Sequence, residues 1–600
     1  MLINECLNRK SKKDHTHTAE KMIFGDITYE TEQDIASQFN LFYKNIALEI
    51  CEKIEKPRHS PEYYLEKCNQ PTEPLELMEV TKEEVKIAVM SLGNKSSTGP
   101  DQISNKLLKK IVPYILSDLT HCINSSLKES KFPQKLKVSK IIPVFKNKND
   151  RSNPDNWRPI SQLSPISKVY ESLIMKQLTE QLESKNIIDP FQFGFRQGNS
   201  TIHPLMITKN FIETEINEKN YVCLIALDLT KAFDLIRTNG CLQNKIIYYC
   251  QNDEITNWFD SYFEDRMQFT NWGNCSSEIV KNHPYSIIQG SKNGPKLFNL
   301  YVNEISKITS LVSVLYADDS TFLYSCKSPD LLCKVINEEL DTIRDYFNSN
   351  GLSISISKTT YMIFTPNNKS KISLNIKLGS EVLKENDEIT LLGCIIDNKL
   401  RFSSHFHKVY SKMKKGLNGL IMVKNQLTYR AKLNVYHGLI HSHLSYCSLI
   451  WISSISKKEL RMLSILQKKA LRIIFSAKYN AHTDPLFERS RITKVENIFE
   501  KESLLMTYKF QNNCLPTSIQ KLFENSLYDK DRITRYLSSC VLRPKRELKN
   551  GLLMYDIIDH WNRIGESSRN EKTFRGFKRN VTAKLNNFIP CNKLDCYSCK

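Results

Sequence analysis

No run of about 18 uninterrupted apolar residues occurs in this 600-residue chain, so it offers no candidate transmembrane helix. The opening "MLINECLNRKSKKDHTHTAEK" lacks the apolar centre of a signal peptide, and the chain is read as neither secreted nor membrane-spanning. No fixed-period repeat and no low-complexity tract appears, which excludes solenoids and biased linkers. A disulfide framework is missing too: the 17 cysteines are odd in number and scattered, which suits reduced thiols and an intracellular protein of the nucleus and cytoplasm. Acid is nearly absent from residues 402–475, where thirteen lysines and arginines face Glu459 alone.

What is present fits a folded chain with a polyanionic partner. A mass of 69.8 kDa, 40% hydrophobic and 25% charged residues allow several units with their own cores. The formal charge of +20 and pI near 9.1 favour nucleic acid, because lysine and arginine neutralise phosphates and release counterions.

Along the chain, "DIASQFNLFYKNI" sets Ile35, Ala36, Phe39, Phe42 and Tyr43 at helical spacing. "PRHSPEYYLEKCNQPTEPLE" reads as a proline-rich linker. A helix is predicted from Thr81, where Thr81 and Glu84 form a capping box and Gly93 stands ready to end it. From about 130 to 400, β-rich runs ("KIIPVF", "YVCLIALDL", "SVLY", "TFLY", "ITLLGCIID") mix with helical ones such as "PDLLCKVINEELDTIRDYFNSNG", the pattern of an α/β or α+β layer. Residues 402–475 are predicted to be mainly helical.

The chemistry sits in carboxylates. "VSVLYADDSTFLYS" puts Asp318 and Asp319 at the predicted tip of a hairpin, where aspartate also suits a plain turn. Upstream, "YVCLIALDLTKAFDLI" interrupts a buried-looking strand with Asp228, which is costly unless that carboxylate is paired or binds a cation. Like charges gathered at adjacent strand ends repel and raise each other's pKa. Two divalent ions remove the conflict, and Mg²⁺, which prefers carboxylate and phosphate oxygens, would suit nucleotidyl transfer.

The Asp228 strand, "QGSKNGPKLF", "YADD", "GLSISISKT" and "LLGCIID" resemble, in order and spacing, the palm motifs of reverse transcriptases. "TGPDQIS", "KIIPVFK", "NWRPISQLSPISKVYE" and "QFGFRQGNST" are similar to fingers motifs of non-LTR (LINE) retrotransposon polymerases, closest to the jockey-like group. The resemblance implies an α+β right-hand polymerase with fingers, a palm with an antiparallel sheet, and a helical thumb. It divides the chain into an N-terminal extension (1–80), fingers and palm (81–400), basic thumb (401–480) and a mainly helical C-terminal region of unknown role (481–600).

It also implies roles. Asp228, Asp318 and Asp319 would hold two Mg²⁺ ions, with Mn²⁺ an alternative. Phe233 would be a steric gate at the sugar 2′ position, or else a core phenylalanine. Lys146 and Arg158 would hold the triphosphate, Arg158 through its planar fork, with surface charge the other reading of Lys146. Gln289 and Gly290 would line the template and nucleotide pocket, Gly290 because a close backbone approach leaves no space for a side chain. Lys358 would donate a proton to pyrophosphate, or simply be solvated. Lys412, Lys414 and Lys415 would track the phosphates of an RNA–DNA duplex. The implied partners are an RNA template, a DNA primer and dNTPs.

Two departures from the family stand out: Ile288 and Asn293 replace a usual proline and leucine around the Gln-Gly-Ser motif. They favour the rival reading of a weak or inactive nucleic-acid-binding remnant. About 80 residues before the fingers are too few for the endonuclease that autonomous relatives carry, so that activity is not expected in this chain. Cys591, Cys596 and Cys599 have C-x₄-C-x₂-C spacing without a fourth cysteine, compatible with free thiols, an iron–sulfur site or a zinc site borrowing a distant ligand.

Overall fold

The computed structural model describes residues 19, 21–146, 150–366, 372–527, 542, 544–545, 549 and 551–586. Cys591, Cys596 and Cys599 lie outside them. The elements used below are, in chain order, α1 (Glu32–Cys51), α2 (Lys82–Ser91), α3 (Asn105–Lys128), β1 (Val138–Phe145), β2 (Trp157–Gln162), α4 (Pro165–Ser184), α5 (Ile202–Asn217), β3 (Tyr221–Leu227) and β4 (Met267–Trp272). After these come α6 (Gly294–Tyr301), β5 (Val312–Tyr316), β6 (Asp319–Cys326), α7 (Pro329–Ser349), β7 (Thr360–Phe364), β8 (Lys384–Glu385), β9 (Glu388–Leu391) and β10 (Cys394–Asp397). The last are α8 (Ser403–Val423), α9 (Lys457–Ile474), α10 (Ile498–Gln511), α11 (Leu553–Arg563) and α12 (Phe574–Leu585).

Local sequence explains many boundaries. Glu84 Oε2 accepts from the Thr81 backbone N–H at 3.0 Å while the Thr81 hydroxyl accepts from Glu84 N, the reciprocal box that starts α2. In α1, Ile35, Ala36 and Phe39 are buried, with Phe39 set 5.0 Å from Trp272 and 6.0 Å from Trp157. The run "ITLLGCIID" is not one strand. It is the β9–β10 hairpin, turned at Leu392 (φ 47°) and Gly393 (φ 82°), both in the left-handed region that a tight hairpin requires.

The central sheet has the strand order β8-β7-β3-β6-β5, antiparallel except for the β8–β7 pair. Both faces are covered, which is why β3 reads as an almost continuous apolar run. Cys223, Ile225, Leu227, Phe322, Tyr361 and Ile363 enter one hydrophobic cluster, with α2, α3, α4 and α7. Val222, Leu224, Leu323, Met362 and Phe364 enter a second. A second five-stranded sheet includes the order β2-β1-β4, with β1 and β4 parallel and β1 and β2 antiparallel.

The stretch expected to be a linker is packed instead. Tyr64 and Leu75 are buried; the Tyr64 hydroxyl donates to Asp345 at 2.6 Å on α7, and Leu75 N donates to the Cys250 carbonyl at 2.8 Å. Aromatic and aliphatic residues spaced between the prolines bury enough surface to dock the segment.

The second cluster runs from the central sheet through α8 and α9 to Phe577 and Val581 of α12. Helix α5 bolts these parts together. Buried Lys209 donates to the Ile450 carbonyl at 2.7 Å and to Ser454 at 3.0 Å, and Glu213 accepts from Leu553 N at 2.9 Å. Among the described residues no helix is long and apolar enough to cross a membrane.

Candidate active site

Strand pairing brings the carboxylates together. Ser320 on β6 lies opposite Leu227 on β3, so the next residues outward, Asp319 and Asp228, meet at the same sheet end. Tyr316 pairs with Asp319 across the β5–β6 hairpin, leaving Ala317 and Asp318 as its tip. Ala317 adopts φ 58°, a left-handed conformation uncommon for alanine.

The "GLSISISKT" segment holds the Asp228 backbone. Ser355 N donates to the Asp228 carbonyl at 2.8 Å, and Asp228 N donates to Thr359 Oγ1 at 3.4 Å. From the same segment Lys358 Nζ reaches Asp228 Oδ2 at 2.8 Å. Lys358 is thus ion-paired at the carboxylate cluster while 63% of its side chain stays exposed.

Desolvation raises the Asp318 pKa, and the neighbouring Asp228 carboxylate raises it further; Arg158 and Lys358 oppose them. Desolvation followed by Asp318 and Asp228 pushes Asp319 up to about 6. These hard oxygen donors, crowded into mutual repulsion, have the chemistry that a divalent cation neutralises. Among the described residues, no three His, Cys, Asp or Glu side chains already converge as a metal-binding group. The donor set, three carboxylates at one sheet end, is of the type that suits Mg²⁺.

The remaining candidates occupy the surroundings. Arg158 is exposed on β2, with its field reaching Asp318. Lys146 Nζ donates to the Asp155 carbonyl at 2.7 Å, and the Asp155 carboxylate pairs with Lys231 at 2.7 Å. Phe233 is half-buried and stacked on Phe298, centroids 4.8 Å apart. Gln289 donates to Asp234 at 2.8 Å, and its carbonyl accepts from Ser161 N at 2.8 Å. The close approach that requires glycine at 290 is internal: its φ is 127°, and a Cβ there would lie 2.5 Å from the Ser161 carbonyl oxygen. Lys412, Lys414 and Lys415 are exposed on α8, outside this cluster.

Around the carboxylates a cleft of about 450 Å³ is lined by Asp228, Asp319, Lys358, Thr208, Glu388 and Leu391, among others. Sequence reasoning assigned no role to Gln192 or Asp234. Gln192 sits within the quoted "QFGFRQGNST", and its side chain reaches the Ala317 turn; Asp234 follows Phe233 directly. Asn293 is fully buried, and neither atom of its side-chain amide has a hydrogen-bond partner.

Residues 146–396 match the family described as reverse transcriptase (RNA-dependent DNA polymerase). The chain is 27% identical over 436 residues to a protein named probable RNA-directed DNA polymerase from transposon BS of Drosophila melanogaster, covering 70% of this chain and 47% of that one. It is 26% identical over 500 residues to the RNA-directed DNA polymerase from mobile element jockey of the same species, covering 81% of this chain and 52% of that one. A third relative, at 26% over 437 residues, is the retrovirus-related Pol polyprotein from type-1 retrotransposable element R1 of Bradysia coprophila, with 70% of this chain and 42% of that one covered. The chain spans about half the length of the curated relatives it matches. Residues 146–396 thus match the reverse transcriptase family, and over most of its length the chain is similar to proteins named as RNA-directed DNA polymerases of jockey and related mobile elements.

Proposed function

We propose that the chain is an RNA-directed DNA polymerase that adds dNTPs to a primer 3′-hydroxyl on an RNA template. The observation that carries this reading is the placement of Asp228, Asp318 and Asp319 at one end of the central sheet, inside the matched domain. The second sheet with its helices would be the fingers, the central sheet the palm, and α8 to α9 the thumb.

Asp228 and Asp318, with Asp319 beside them, would hold two Mg²⁺ ions, which supply charge neutralisation at the attacking and leaving oxygens of the phosphoryl transfer. Arg158 and Lys146 would bind the triphosphate: a guanidinium offers a planar fork, an ammonium a point charge. Lys358 would leave Asp228 as substrate enters, and its ammonium would then be available to protonate pyrophosphate. Phe233, backed by Phe298, would present its ring edge to the sugar, where excluding one hydroxyl is a matter of space.

Asn293 supports a second reading, a weakened copy that retains nucleic-acid binding. A buried amide without partners beside Gln289 and Gly290 loosens the segment that should be most rigid. Primer extension on an RNA template by the purified chain separates the two. Mg²⁺-dependent incorporation supports the polymerase, whereas hybrid binding without incorporation supports the remnant.

A further inference from the structure

The tip that carries Asp318 is held by a segment more than a hundred residues upstream. Gln192 is 2% exposed, and its side-chain oxygen accepts from two backbone donors, Ala317 N and Gly194 N, each at 2.9 Å. Its amide nitrogen lies 3.5 Å from the Ala317 carbonyl, so both polar groups of the Ala317 residue face one side chain. Gly194 closes the contact: a Cβ there would stand 2.3 Å from Ala317 N.

The brace is itself anchored. Phe193 N donates to the Leu315 carbonyl at 2.8 Å and Leu315 N to the Phe191 carbonyl at 3.0 Å, adding the segment to the edge of β5. Asn299 holds the Gly194 carbonyl at 2.7 Å, and Arg196, paired with Glu183, holds the Gln192 carbonyl at 2.9 Å. Ala317 therefore keeps its left-handed φ because a fixed acceptor meets its N–H.

We infer that Gln192 is a positioning residue for the Ala317–Asp318 tip, setting where the Asp318 carboxylate stands relative to Asp228. The inference rests on the polymerase reading for its consequence, and on the hydrogen bonds alone for its geometry. Gln192→Met keeps length and removes the acceptor; Gly194→Ala pushes on the same turn from the other side.

Mn²⁺ binding to the full chain, followed by electron paramagnetic resonance, should weaken by about tenfold or more in each variant, the scale of lost outer-shell support. The Mg²⁺ concentration for half-maximal primer extension should rise in parallel, with RNA–DNA hybrid affinity unchanged. The double variant should be no worse than the poorer single one, because both act on one turn. Leu340→Ala, a buried change on α7, controls for lost stability and should leave metal dependence unaltered. Mn²⁺ binding unchanged in both variants, or weakened equally in Leu340→Ala, overturns the inference. If the unmodified chain does not extend primers, the polymerase reading fails, while the Mn²⁺ isotherms still decide the role of Gln192.

Discussion

Asp228 and Asp318 are alike in chemistry and different in support. Asp228 ends a strand inside the sheet and carries Lys358, whereas Asp318 stands on a turn that Gln192 braces. Replacing either by asparagine removes a charge and almost no volume. Asp228→Asn and Asp318→Asn should each abolish primer extension and leave hybrid binding nearly intact, because on the proposed reading cation affinity needs the carboxylate while distant lysines would hold the duplex. Extension at a near-normal rate by either variant would reject the metal assignment.

At the same scale, Asn293 gives an opposite expectation. Its side chain makes no cap hydrogen bond for α6 and both amide atoms are orphaned, so an apolar residue loses nothing and sheds a desolvation cost. Asn293→Leu should raise stability by about 1–3 kcal/mol in denaturant unfolding and increase the extension rate. A lower unfolding midpoint would show that Asn293 has a partner in solution.

Among the elements, the packed segment between α1 and α2 is tied to α7 by one buried carboxylate, Asp345. Burial alone would raise the Asp345 pKa. Hydrogen bonds from Tyr64, Arg58 N and His59 outweigh it and bring the carboxyl down to about 2. A depressed folded-state pKa contributes stability above the unfolded value near 4 and loses it as pH falls toward 2. Proteolysis within residues 57–76 should therefore speed up between about pH 4 and 2, and Asp345→Asn should give that sensitivity at neutral pH. Cleavage independent of both would detach Asp345 from the segment.

The basic stretch 402–475 shows where a charge count misleads. Of the thirteen basic residues in 402–475, Lys432 is buried, with its ammonium 3.1 Å from Ser476 and 3.5 Å from the Ile473 carbonyl at the end of α9, where it offsets the helix dipole. Lys412, Lys414 and Lys415 are exposed and free to meet phosphates. Neutralising these three should flatten the log–log salt dependence of hybrid binding by about 0.7–0.9 per lost contact. Lys432→Gln should leave that slope alone and lower stability. An unaltered slope in the triple variant would place α8 off the nucleic-acid path.

For the whole molecule, the second hydrophobic cluster makes the sheet, α8, α9 and the C-terminal helices interdependent. Trp561 on α11 is 1% exposed within it. Trp561→Ala should cost about 3–5 kcal/mol and lower the temperature at which primer extension fails, although Trp561 is far from the carboxylates in sequence. Extension with unchanged thermal tolerance would mean that the C-terminal helices fold apart from the sheet.

The features legible in the sequence are those set by neighbours a few residues apart. The capping box at Thr81, the apolar stripe of α1, the strand ending at Asp228 and the paired aspartates after "LYA" follow from helical or strand periodicity and cap chemistry. Those patterns depend on local backbone geometry, so they survive being read in one dimension. The break of "ITLLGCIID" was signalled only by Gly393, because the other turn position, Leu392, carries an apolar side chain that continues the strand pattern. Other features were decided only by tertiary packing. The Asp228–Asp319 juxtaposition depends on the β3–β6 register, the brace from Gln192 spans 125 residues to Ala317, and the burial of Lys432 and Asn293 depends on what lands on them. Side-chain type states what a residue can bond. Only the packed chain determines which partner stands within 3 Å or so, because the entropy of bringing distant segments together is offset by the core as a whole and not by any motif within it.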